Sequence, residues 1–131
     1  MKLLRFRDRT PPSRLEAKFA LFWRSLGGPD LDTEFRFDAE RRWRADFAHV
    51  ESRTLIEIEG GLHVAGGGRH NRSAGFIADA EKYFAAFLAG WSVVRLTSAQ
   101  ITAPNVERLI GAVRSRCPAP ASSSAAPPHP A

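Results

Sequence analysis

The chain has 131 residues, 44% of them apolar, with 19 Lys+Arg against 14 Asp+Glu and a formal net charge of +5. That is enough to bury the core of one domain and too apolar for disorder throughout. A single cysteine, Cys117, excludes an intrachain disulfide, no apolar run is long enough to span a bilayer, and the basic start lacks a signal-peptide core, so a soluble cytoplasmic protein is expected.

Lysine occurs only at Lys2, Lys18 and Lys82. The remaining cationic residues are arginines, which suit bidentate contacts to a polyanion as well as a solvated surface. Residues 1–12 read as a basic arm ending in Pro11-Pro12, and 117–131 as a disordered Pro/Ala/Ser tail. The folded domain is expected over 13–116.

Within it, Ser13 stands as an N-cap with Glu16 at the capping-box position. Leu15, Phe19, Phe22, Trp23 and Leu26 follow at helical spacing until Gly27-Gly28, which predicts a helix over 14–26. A first strand is expected at 34–38, a short turn at 39–41 and a second strand at 42–50. Glu51-Ser52 then turns into a third strand over 53–59, completing an antiparallel meander. The Gly-rich stretch 62–71, which holds His63, Arg69 and His70, reads as a loop. A helix over 72–89 carries an apolar face of Phe76, Ile77, Ala80, Phe84, Phe87 and Leu88, with Asp79 and Lys82 together elsewhere. Gly90 ends it, and the apolar run 91–97 reads as a central strand parallel to the third. Pro104 opens a last helix to about Arg116. The whole is an α/β sandwich around a small mixed sheet.

The third strand, TLIEIE before Gly60-Gly61, concentrates the chemistry. Glu57 and Glu59 are two apart and share a face. With the preceding turn centred between Glu51 and Ser52, Asp46 falls opposite Glu57, with Cβ atoms about 5 Å apart. Like charges that close repel, and a divalent cation is the usual remedy. Simpler roles exist for each residue. Asp46 could pair with Arg44 or Arg95, and Lys82 with Asp79 one helical turn away. His63, His70 and Cys117 could bind zinc, although their spacing is irregular.

The runs RRWRADFA (41–48), LIEIEGG (55–61) and GRHNRSAGFIADAEKYFAAFLAGWSVVRLT (68–97) together resemble the PD-(D/E)xK nuclease superfamily. The resemblance is to small phage- and prophage-borne endonuclease-like proteins related to the very-short-patch-repair-like endonucleases. It covers about residues 13–102 and implies a restriction-endonuclease-like fold in a bacterial or phage-encoded protein. It also implies a Mg²⁺-dependent DNA endonuclease, with Mn²⁺ as a substitute.

On that resemblance Asp46 and Glu57 match the motif acids and would hold the metal, with the Ile58 carbonyl as a further ligand. Glu59 stands where the motif has lysine, and would bind a second metal or orient the attacking water. Lys82 would then supply the missing positive charge. Glu16 is a candidate to complete the site from the first helix, and Asp79 is a further candidate. Arg44, Arg69, His70 and Arg72 are the candidates for phosphate contact. Many such nucleases act as homodimers. The alternative is a catalytically inactive DNA-binding module that keeps the fold, and a structural phage protein is a third reading.

Overall fold

A computed structural model describes residues 11–60 and 69–118, with only the backbone described for 69–73. His63, most of the basic arm and all but the start of the tail lie outside the described residues. The elements run α1 (Arg14–Ser25), β1 (Asp32–Arg36), β2 (Arg44–His49), β3 (Thr54–Glu59), α2 (Arg69–Leu88), β4 (Ser92–Thr97), a 3₁₀ turn (Ser98–Gln100) and α3 (Ala103–Ser115). The fold is mixed α/β, with the expected order of helix, three strands, helix, strand, helix. Among the described residues no helix is long and apolar enough to cross a membrane.

Local chemistry sets most element boundaries. Ser13 Oγ accepts the amide N–H of Glu16 at 3.2 Å and caps α1. Thr102 caps α3 in the same way through Asn105, with Pro104 in the first turn, where its missing N–H costs nothing. Gly90, at φ +89°, closes α2.

Several features differ from expectation. β1 runs from Asp32 to Arg36 and β2 begins only at Arg44, so the connection widens to 37–43, where Asp38 Oδ1 accepts the amides of Glu40 and Arg41 and stabilises a turn. Arg69 and His70, placed in the Gly-rich loop from sequence, belong to α2, which starts at Arg69. Arg, His and Asn have no strong bias against helix, so the helix reaches back toward the last glycine. β4 is parallel to β3 as expected but forms the sheet edge, the order being β1-β2-β3-β4. Its apolar run reflects cover on both faces: Leu96 and Val94 pack toward α1 and α3, and Val93 toward Trp91.

The two sides of the sheet are unequal. On one side α1 and α3 bury Phe19, Trp23, Phe47, Ile56, Ile101, Val106, Ile110 and Val113 in a single core. Each large side chain fully buried there contributes about 1.5–3 kcal/mol. The Trp23 indole N–H donates to the Pro29 carbonyl at 2.6 Å, so its polar edge is satisfied inside that core. On the other side α2 covers a small cluster of Ala45, Ala48, Leu55, Ala86 and Trp91. Arg53, at φ +53°, clamps the end of α2 by donating to the carbonyls of Ala89 and Gly90 while stacking on Trp91.

The expected apolar face of α2 does not meet this cluster. Phe76, Ile77, Phe84, Phe87 and Leu88 are all exposed. The polar face turns inward instead, because this side of the sheet carries Glu57, Glu59 and Arg95, which need polar partners.

Candidate functional site

The β2–β3 register pairs His49 with Thr54, Ala48 with Leu55 and Phe47 with Ile56. One step further the same register sets Asp46 opposite Glu57, as the turn position predicts. The ladder stops before that step. β2 remains paired with β1 as far as Arg44, and β3 with β4 as far as Glu59. The middle strands therefore part where the two acids stand. The Ile58 amide, freed from the ladder, donates to Asp46 Oδ2 at 2.7 Å. The side chain fills the hydrogen-bond deficit that strand separation creates.

Each acid has a defined neighbour. Lys82 Nζ lies 2.5 Å from Glu57 Oε1, and both side chains are largely buried. Lys82 thus reaches the site from α2 and does not pair with Asp79, which lies 3.6 Å from Arg95. Glu59 shares the face of Glu57, but its carboxylate accepts from Arg95 Nε at 2.7 Å. Arg95 also stacks on Tyr83. Arg44 pairs with Glu34 at 3.3 Å, so neither arginine considered from sequence as a partner for Asp46 takes that place in the ion pairs.

Glu16 and Glu34 complete the cluster. One carboxylate oxygen from each of Glu16, Glu34 and Asp46 lies within 4.8 Å of the others. Glu16 therefore sits beside Ser13 at the helix start and also faces Asp46. Glu34 was not singled out from sequence. It occupies β1 with φ +50°, flanked by the pairs Thr33↔Phe47 and Phe35↔Ala45, which places it across from Asp46. Laying out the first hairpin as well as the second would have found it. Asp46, Glu57 and Glu59 do not form such a mutual cluster. The second trio with metal-ligand potential is His49, Glu51 and Cys117, at the opposite end of β2. Cys117 thus neighbours His49; of the other two zinc candidates, His63 and the His70 side chain lie outside the described residues.

The electrostatics point one way. Burial raises the Glu57 carboxyl to about 7 from its ordinary 4.5, against the pull of Lys82 and with repulsion from Asp46 and Glu59. Burial also raises Asp46, opposed by the Ile58 amide and Lys82 and reinforced by Glu34 and Glu59. Glu16 is raised by burial and by Asp46. Glu16, Glu34, Asp46 and Glu57 are four acids against two paired cations, Arg44 on Glu34 and Lys82 on Glu57. The hard oxygen donors of this cluster suit Mg²⁺ or Mn²⁺ and not a thiophilic ion.

Arg69, His70 and Arg72 lie in the first turn of α2, and their side chains lie outside the described residues. Comparison with family models, curated proteins and solved structures returns no match to this chain.

Proposed function

We propose that this chain is a divalent-metal-dependent DNA endonuclease of the PD-(D/E)xK type. The observation that carries the proposal is the parting of β2 and β3 at Asp46 and Glu57, with Lys82 delivered to Glu57 from α2. Two acids on diverging strands with a lysine beside them are the elements that metal-assisted phosphodiester hydrolysis requires.

Asp46 and Glu57 would hold the cation, with Glu16 and Glu34 close enough to Asp46 to add ligands or to orient water. A bound Mg²⁺ supplies a water of lowered pKa and positive charge for the scissile phosphate. The protein's own residues do the rest. The Ile58 amide fixes the orientation of Asp46. Lys82 provides the fixed cation that the motif otherwise places at position 59, and is suited to stabilising the extra charge on phosphorus in the transition state. Arg95 ties down Glu59, so that acid acts first as the anchor of an arginine.

The basic surface supports DNA as the substrate. Arg36, Arg41, Arg42 and Arg44 are exposed around the β1–β2 connection, at the end of the sheet where the strands part. Arg36 and Arg44 are direct partners in the ladder. Glu34 lies 3.3 Å from Arg44, which leaves Arg36, Arg41 and Arg42 as the arginines of this rim with most freedom to meet a phosphate. Such contacts position a backbone and do not read sequence.

The test is nicking of supercoiled plasmid with Mg²⁺ or Mn²⁺, against a chelator control. Metal-dependent cleavage is expected. Salt-sensitive DNA binding without cleavage, under either metal, would favour the inactive binding module instead.

A further inference from the structure

α2 carries an exposed apolar stripe that no described residue covers. Phe76, Ile77, Phe84, Phe87 and Leu88 are 58–75% exposed, and Ala80 lies exposed between them. Large apolar side chains on a monomer's surface are ordinary when scattered. Here five of them line one face of one helix over about 18 Å. Three phenylalanines, an isoleucine and a leucine at these exposures amount to roughly 600 Å² of accessible surface. That is at the upper limit of patches on a typical monomer, and close to the roughly 800 Å² that each partner buries in a stable interface.

We infer that this stripe is the contact surface of a homodimer, in which α2 packs against α2 of a second copy. Three observations select a second copy over other occupants. The first is spacing. Ile77, Ala80, Phe84 and Phe87 repeat at intervals of three, four and three, the pattern of a helix–helix seam. Laid antiparallel about position 82, the seam is self-complementary. Phe84 of one copy falls over Ala80 of the other, Ile77 meets Phe87, and each contact occurs twice. The small Ala80 makes room for Phe84 of the other copy, and every contact is reciprocal, as a two-fold interface requires.

The second is charge. Of the exposed positions from 74 to 88, only Glu81 is charged, and Arg41 lies 3.9 Å from it. A chain of net charge +5 would resist self-association through its basic surface, and this face avoids that cost. Among the described positions from 74 to 88 the only Lys or Arg is Lys82, which turns inward to Glu57, so the stripe itself offers no cation to a polyanion. The third is the inner face of the same helix. α2 touches its own sheet through polar groups and the small Ala86 cluster, so its apolar side chains have no other described place to be buried.

The test is sedimentation equilibrium of the full chain, with Phe84→Glu and, as a control, Leu21→Glu. Leu21 is an equally exposed apolar residue, but on α1. Wild type and Leu21→Glu are expected at twice 14.5 kDa. Phe84→Glu is expected as a monomer with unchanged far-ultraviolet circular dichroism, its dimerisation weakened about 100-fold or more. In a background with Cys117→Ser, paired Ala80→Cys and Phe84→Cys chains should crosslink between copies under oxidation. A monomeric wild type, or a dimer that Phe84→Glu leaves intact, overturns the inference. Both outcomes are read without any nuclease assay and leave the proposed activity standing or falling separately.

Discussion

Replacing Glu57 by Gln gives a prediction whose sign the structure sets. Glu57 is 8% exposed, and its carboxyl is raised from 4.5 to about 7, chiefly by burial. A shift of that size corresponds to about 3 kcal/mol of preference for the protonated form in the folded state. Stability from the protonated group is fully present below the unfolded value near 4.5, and is lost as pH rises through about 7. Glu57→Gln keeps the shape and removes the titration. It also deprives Lys82 of its ion pair, which offsets part of the gain. At pH 8 without metal the variant should therefore be more stable by about 1–3 kcal/mol, several degrees in Tm. Near pH 4.5 the two proteins should melt together. Saturating Mg²⁺ at pH 8 should raise the Tm of wild type and not of the variant, because only the carboxylate binds the ion. Differential scanning fluorimetry across pH 4.5–8, with and without Mg²⁺, measures all of this. A wild type that gains stability relative to Glu57→Gln as pH rises would refute the reasoning. So would an equal Mg²⁺ effect on both.

Asp46→Asn should keep its Tm within a degree or two, since the amide oxygen can still accept the Ile58 N–H, while plasmid nicking falls by about 100-fold or more. Lys82→Ala should lower the cleavage rate by about 100-fold with little change in DNA affinity; a matched loss of both would make Lys82 a binding residue. Gly28→Ala would drive a Cβ into the Trp23 indole and disturb its hydrogen bond to Pro29, costing about 2–3 kcal/mol in urea denaturation, and a wild-type midpoint would show that the loop yields freely.

The elements themselves were legible because their signals are local. Ser13 with Glu16, Gly27-Gly28, Pro104 and Gly90 each act within one turn of chain. The opposition of Asp46 and Glu57 was also legible, because a tight turn fixes the register of a hairpin by counting. Glu34 was legible by the same counting in the first hairpin, and only its left-handed backbone inside β1 was not. Nor was the direction of α2. Periodicity shows that a helix has an apolar side but not that the side faces its own sheet.

From the sequence alone come the α/β order, the β2–β3 hairpin and the acids two apart on β3, all set by bonding within short stretches. Only tertiary structure decides that β2 and β3 separate at Asp46, that Lys82 crosses from α2 to Glu57, that Arg95 takes Glu59, and that five large apolar side chains point outward. These depend on how a charged patch of sheet selects the face of the helix above it. Unpaired buried charge is more costly than exposed hydrocarbon, so the polar face of α2 turned inward.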